Sequence, residues 1–420
     1  MAGAVHVIGA GLAGLSAAVR LTEAGQKVVV HEAAGQAGGR CRSYHDPALD
    51  MEIDNGNHLL LSANHAALDF LRIIGTADKL AGPPHANFPF VDLATGARWT
   101  LRIGDGRIPW WIFDANRRVP GTTARDYLGF ARLLRPPRDA AVGEVIACKG
   151  TLYDRLLGPL LLAALNTAPA EGSAALAAAI LRETIVAGGR ACRPLIARDG
   201  LGPTFIAPAL DRLASRGVTA GFGRRLRAVD VADGRAAALD FGEDKLPLGA
   251  DDKVILAVPP VVASSLLPGL EAPDEFRAIV NAHFRITPPS GTAPIIGVIG
   301  GTVEWIFAFA DRLSVTISGA DRLLDTPREA LAKTIWDEVA TVVRMGDTNA
   351  PAPMPPWQIV RERRATFAAL PAQERKRPGA VTAWQNLWLA GDWTATGLPA
   401  TIEGAIRSGA RAATLAASSF

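Results

Sequence analysis

A chain of 420 residues exceeds one ordinary hydrophobic core, so two domains sharing a large interior are expected. Hydrophobic residues make up 49% of it and charged residues 20%, and the formal net charge is only +3, so global charge gives no case for nucleic-acid binding. Cys41, Cys148 and Cys192 form no C-x-x-C pair and cannot all be bridged, which fits a reducing compartment and argues against a structural metal.

A strand-like segment starting at Ala4 leaves no room for a basic region followed by an apolar signal core. Val5 to Ile8 reads as a short buried strand, followed by Gly9-Ala10-Gly11-Leu12-Ala13-Gly14 and a helical pattern that runs through Glu23 and closes at Gly25. In such a strand–turn–helix the first glycine permits the tight turn, the second lets backbone approach a diphosphate, and the third allows close helix-to-strand packing. Lys27 to His31 forms a second strand. Glu32 ends it, 18 residues beyond Gly14, where a carboxylate can bond an adenosine ribose and repel a 2′-phosphate, with Ala33 beside it. Together these point to a dinucleotide.

Gly38-Gly39-Arg40 narrows the choice. Two glycines expose backbone amides and Arg40 adds a cation beside the diphosphate. The element resembles the GGR motif of FAD enzymes in the amine oxidase and carotenoid desaturase superfamily. Further on, Asp54-Asn55-Gly56-Asn57-His58 forms a polar loop in which Gly56, Asn57 and His58 are candidates to approach the cofactor.

Residues 76–197 read as mostly helical. Trp110-Trp111-Ile112-Phe113, Arg117-Arg118 and the stretch from Tyr127 to Arg135 have the makeup of an interfacial anchor, although core packing explains most of these aromatics and leucines equally well. The apolar run from Leu156 to Leu165, interrupted by Gly158 and Pro159, is too short to span a bilayer. Val218 to Asp240 reads as a strand hairpin, and Lys253 to Pro260 as a strand returning to the nucleotide sheet. Near the C-terminus, Asn386 to Leu389 is an apolar strand leading through Ala390 into a Gly391-Asp392 turn. Thr401 and Ile402 then open a helix whose free amides suit the negative charge of a reduced flavin.

The expected fold is α/β: a discontinuous Rossmann-like FAD-binding domain (1–75, 198–269 and 381–420) with an inserted substrate domain, part helical and part mixed sheet (76–197 and 270–380). The superfamily resemblance further implies that the backbone of Leu226 contacts the adenine and that Asp392 holds the ribityl or diphosphate region.

A closer resemblance covers nearly the whole chain. Asp54 to Leu61, Ala164-Leu165-Asn166-Thr167 with Gly188-Gly189-Arg190-Ala191, Arg364-Ala365-Thr366-Phe367, and above all Ala390 to Ala405 with its Asp-Trp-Thr and Gly-Leu-Pro content, resemble the hydroxysqualene dehydroxylase family of bacterial hopanoid biosynthesis. Two segments depart from that pattern: Asn57, and the loosely matching Gly300 to Ser318. The resemblance implies noncovalent FAD, a C30 isoprenoid alcohol as substrate and reductive removal of its allylic hydroxyl by hydride from the reduced flavin. It also implies a cytoplasmic enzyme held peripherally at the inner face of the membrane, in contact with a squalene-synthase-like partner, with no nucleic acid and no metal. Loss of hydroxide needs a proton. His58 is the first candidate donor with Asp54 to orient it, while Tyr153 and Glu403 are weaker ones and bracing of the FAD loop is the competing role for His58 and Asp54. The cofactor motifs alone leave open an isoprenoid desaturase, an amine-oxidase-like oxidase, or a lipid-binding scaffold with structural FAD.

Overall fold

The computed structural model describes residues 3–347 and 350–418. Its first sheet has five parallel strands in the order Ala220–Gly221, Lys27–His31, Ala4–Ile8, Lys253–Leu256 and Leu387–Leu389. The central strand is buried along its whole length, as a parallel strand covered on both faces must be. Period-two alternation divides the side chains. Val5, Val7, Ile255 and Trp388 pack with the helices Leu12–Glu23 and Ile402–Ser418, whereas Ile8, Val254, Leu256, Leu387 and Leu389 pack with Leu226, Val229 and Leu239 on the other side.

The two helices approach closely because Gly409 carries no side chain: a Cβ there would stand 2.1 Å from the Ala13 carbonyl oxygen. Ser16 Oγ donates to the Ile406 carbonyl at 3.0 Å. These two pairings run in opposite chain directions, so the helix N-termini are spread apart along the site instead of meeting at one point.

A second sheet has seven strands in the order Trp357–Phe367, Phe276–Arg285, Arg312–Ile317, Trp305–Ala308, Ile295–Ile299, Asn87–Asp92 and Arg98–Arg102. Only the contact between Gly297–Ile299 and Phe90–Asp92 is parallel. One face, with Val280, Ala282, Phe284 and Val315, is sealed by the Arg328–Val343 helix through Trp336. The alternate positions Asn281, His283 and Ser314 are buried polar groups on the other face, with Thr316 half-buried beside them, and Trp305 and Phe307 belong to a separate apolar cluster.

Two expectations need correcting. Residues 76–197 are not mostly helical at their start: Asn87–Asp92 and Arg98–Arg102 are strands, because Phe88, Phe90, Trp99 and Leu101 alternate with period two. The hairpin is shorter than Val218 to Asp240. It joins Ala228–Ala232 to Arg235–Asp240 across Asp233-Gly234, both at positive φ (51° and 72°) as a two-residue turn requires, while Ala220–Gly221 leaves to join the parallel sheet. Among the described residues no helix is long and apolar enough to cross a membrane.

Candidate cofactor and active site

The glycine turn separates packing from ligand space. A Cβ on Gly9 (φ +106°) would meet the Ala257 carbonyl oxygen at 2.4 Å, and one on Gly14 would lie 1.8 Å from the Gly9 oxygen, so both glycines are required by the protein's own packing. Gly11 is different. Its backbone is extended (φ −75°, ψ 177°), a conformation open to any residue, and a Cβ there would find no protein atom within 4 Å. Bare backbone at that point therefore serves something other than the fold, and a diphosphate fits it. Leu12, Ala13 and Gly14 begin a helix with no side-chain cap and no acidic residue in its first turn; its first backbone bond runs from Leu15 to Gly11 at 2.9 Å. Those leading amides and the helix dipole favour an anion.

The second glycine pair lies against the first. Gly38 and Gly39 have φ values of +108° and +55°, the Gly38 amide donates to the Ala10 carbonyl at 2.8 Å, and a Cβ on Gly39 would stand 3.6 Å from the Gly11 Cα. Glu32 pins the same loop, accepting the Ala10 amide at 2.7 Å on one carboxylate oxygen and the Ala34 amide at 2.8 Å on the other, with Ala33 exposed between. The remaining lone pairs suit ribose hydroxyls. Leu226 is buried in an extended stretch where, among the described residues, its amide and carbonyl take no hydrogen bond, which leaves its backbone able to read an adenine edge.

Arg40 joins the two ends of the chain. Its guanidinium donates to Asp392 Oδ1 at 2.7 Å and to the Ala365 carbonyl at 2.5 Å. It lies deep among protein atoms yet keeps 43% of its side-chain surface accessible, the mark of an internal cleft and not of outer surface. The Asp392 charge holds the guanidinium more firmly protonated than usual. Asp392 is thus an ion-pair partner that positions Arg40, in addition to whatever it offers a ligand.

The loop after Leu389 is built around a residue that the sequence did not single out. Arg377, fully buried, donates to the carbonyls of Asp392, Trp393 and Thr394 and to Thr396 Oγ1, and is neutralised by Glu374 at 2.6 Å. Gly391 has no room for a side chain, since a Cβ would meet the Trp393 indole at 2.4 Å, and its amide donates to Ser408 Oγ at 3.0 Å. Thr401 Oγ1 accepts the Gly404 amide at 3.0 Å. Among the described residues the Ile402 and Glu403 amides have no acceptor and open the final helix toward a ligand. The Glu403 carboxylate accepts the Ala66 and Ala67 amides at 3.0 and 2.8 Å and pairs with Arg407, so it caps the His65–Ile74 helix and is no free proton donor.

The loop from Asp54 to His58 rests on the polar face of the large sheet. Asn57 donates from its amide and side chain to Asn281 Oδ1 (3.3 and 3.5 Å) and to the Val315 carbonyl at 3.2 Å, while a Cβ on Gly56 would press Asn281 Nδ2 at 3.2 Å. Asn57, the departure from the family pattern, therefore clamps the loop. Asp54 accepts from Ser43 Oγ at 2.5 Å and from the Leu201 amide at 2.9 Å. Burial raises its pKa and the Ser43 bond opposes that. Among the described residues no hydrogen bond joins Asp54 to His58, so Asp54 braces the loop and does not orient the imidazole. Burial, and secondarily the positive charge of Arg40, lower the His58 pKa to about 4. At neutral pH the ring is uncharged. Arg377 and Asn281 lack any local motif, since a basic cluster before a proline and one polar residue in a strand read as surface.

A sequence profile of flavin containing amine oxidoreductases matches residues 12–417. The chain is 60% identical over 416 residues to a hydroxysqualene dehydroxylase of Rhodopseudomonas palustris, covering 99% of this chain and 98% of that one. It is 57% identical over 414 residues to another of Sinorhizobium fredii, with 99% and 98% covered. The cyclohexylamine oxidase of Brevibacterium oxydans superposes with a TM-score of 0.67 at 16% identity over 99% of both chains, which shows a shared fold. With a ligand-shaped glycine at Gly11 and a cleft closed by Arg40 and Asp392, the chain belongs to the flavin containing amine oxidoreductases and, within them, to the hydroxysqualene dehydroxylase family, as an FAD-dependent enzyme.

Proposed function

We propose that the enzyme removes the allylic hydroxyl of hydroxysqualene to give squalene. The observation that carries this reading is full-length identity of 57–60% to relatives of that name. Bound in its reduced form, FAD would supply the hydride there, and the hydroxyl would take a proton and depart as water, so that alcohol, hydride and proton become hydrocarbon and water. Residues 1–75, 198–269 and 381–420 make the cofactor half in this reading, with 76–197 and 270–380 the substrate half.

The chain's own residues divide the remaining work. Gly11, Gly39 and the opening amides of the Leu12–Glu23 helix would hold the diphosphate, Glu32 the ribose, and the Ile402–Ser418 helix N-terminus the flavin end. An apolar cluster that includes Phe90, Trp99, Trp305 and Phe307, with Leu59 packed against it beside His58, excludes water and suits a hydrocarbon. His58 delivers the proton from its ring nitrogen; Asp54, Asn57 and Asn281 fix the loop that carries it. Anaerobic incubation of the reduced holoprotein with hydroxysqualene, followed by mass spectrometry, should yield squalene. Unchanged alcohol, or new double bonds formed only by the oxidised protein, would overturn the assignment.

A further inference from the structure

Four of the five most exposed large apolar side chains lie within one short stretch: Ile108 (61%), Trp110 (70%), Phe113 (61%) and Leu128 (60%). The stretch is held as a unit, because the Trp110 and Phe113 rings pair with centroids 6.1 Å apart and the buried neighbour Trp111 meets Tyr127 edge-on with centroids 5.3 Å apart, joining the Trp110–Phe113 turn to the Ala124–Gly129 helix. The Tyr127 hydroxyl accepts the Val119 amide at 2.9 Å and fixes that junction. Solvation alone gives no reason to present Trp and Phe on so braced a scaffold.

The surrounding charge names the occupant. Residues 102–138 hold eight arginines against three aspartates, an excess of five, whereas the whole chain carries only +3. Arg107, Arg125, Arg132, Arg135 and Arg138 are exposed, and among the described residues none makes an ion pair or side-chain hydrogen bond. Unpaired guanidinium groups around protruding tryptophan and phenylalanine complement the anionic headgroups and acyl boundary of a bilayer. Beneath the patch, Trp111, Ile112 and Tyr127 belong to the same apolar cluster that reaches Leu59, next to His58.

We propose that Ile108 to Phe113 together with Leu128 form a docking face for an anionic phospholipid bilayer, and that a membrane-dissolved substrate enters there. The entry step rests on the dehydroxylase reading; the docking does not. Holoprotein is mixed with phosphatidylcholine vesicles, with and without phosphatidylglycerol, and bound protein is measured by flotation. Wild type should float with the anionic vesicles, less so at raised ionic strength. The double variant Trp110→Glu/Phe113→Glu should lose at least about tenfold in binding. Val231→Glu, at an exposed apolar residue of the Ala228–Ala232 strand that is not part of the proposed face, should bind as wild type does. No flotation of the wild type, or equal flotation of the double variant, overturns the docking face. Both proteins are then given hydroxysqualene in detergent and in vesicles. The entry step requires the double variant to match wild type in detergent and fall behind in vesicles, and equal rates in vesicles overturn it. Failure of wild type with detergent-dispersed substrate refutes the dehydroxylase reading and the entry step with it, and leaves the flotation result standing.

Discussion

Gly11→Ala and Gly14→Ala each add one methyl group, at positions three residues apart, yet the structure separates their consequences. At Gly14 the new Cβ would sit 1.8 Å from the Gly9 carbonyl oxygen, a backbone atom that cannot yield without moving the strand or the helix. Overpacking of this kind costs about 1–3 kcal/mol and more where backbone must shift, so the flavin-free protein should be markedly destabilised. At Gly11 the methyl meets no protein atom within 4 Å and the dihedrals suit alanine, so flavin-free stability should stay within about 1 kcal/mol of wild type. The methyl instead projects into the space assigned to the diphosphate. A clash there of about 1–3 kcal/mol weakens FAD roughly ten- to a hundredfold. Denaturant unfolding of the flavin-free proteins measures the first quantity and titration of flavin fluorescence the second. Wild-type FAD affinity in Gly11→Ala, or equal destabilisation by the two variants, would refute the division into packing and ligand glycines.

Three further outcomes follow from the site. Glu32→Arg removes the acceptor of the Ala10 and Ala34 amides and places a cation at the ribose, so the protein should purify with a diminished flavin spectrum. Arg377→Met strips the donors from three carbonyls and leaves Glu374 unpaired; a loss of about 3–5 kcal/mol in unfolding free energy is expected, together with weaker FAD retention. Acid should unfold the protein, because burial lowers His31 to about 4 and His283 to about 3. Their folded pKa values lie below the unfolded value of about 6.5, so this stability is complete above that pH and is lost as pH falls toward about 4 and then about 3. His31 alone accounts for up to about 3 kcal/mol, and His31→Asn should flatten the slope of unfolding free energy against pH.

The cofactor elements were legible because local chemistry dictates them. Gly9, Gly11 and Gly14 each answer a separate backbone demand within six residues, and the Leu387–Leu389 strand with its Gly391-Asp392 turn announces itself by pattern. What could not be read locally was pairing over distance. Arg40 and Asp392 are 352 residues apart and looked like two independent ligand contacts, yet they form one ion pair. Asp54 and His58 are four residues apart and looked like an acid–imidazole couple, yet a loop spacing carries no direction, and Ser43 and Leu201 claim the carboxylate. The strands at 87–102 are hidden in the sequence because their alternating phenylalanine and tryptophan positions run into the helical stretch that follows them.

The most exacting consequence concerns His58. An imidazole with a pKa of about 4 is protonated in only about one molecule in a thousand at neutral pH, but that cation is a strong acid. If it protonates the departing hydroxyl, the rate at which hydroxysqualene reoxidises the reduced flavin should rise about tenfold per pH unit as pH falls from 8 to about 6, with no plateau in that range. Part of the depression comes from Arg40, so an anion beside that guanidinium would move the break upward without changing the sign of the slope. His58→Asn keeps a polar side chain of similar reach but cannot carry the proton, so its slope should be flat while FAD affinity is retained. Stopped-flow reoxidation of both proteins over that range, where only a small part of the histidine-linked stability is lost, decides the matter. A wild-type profile that is flat, or one that His58→Asn shares, would leave His58 as a brace for the loop and assign the proton to another donor.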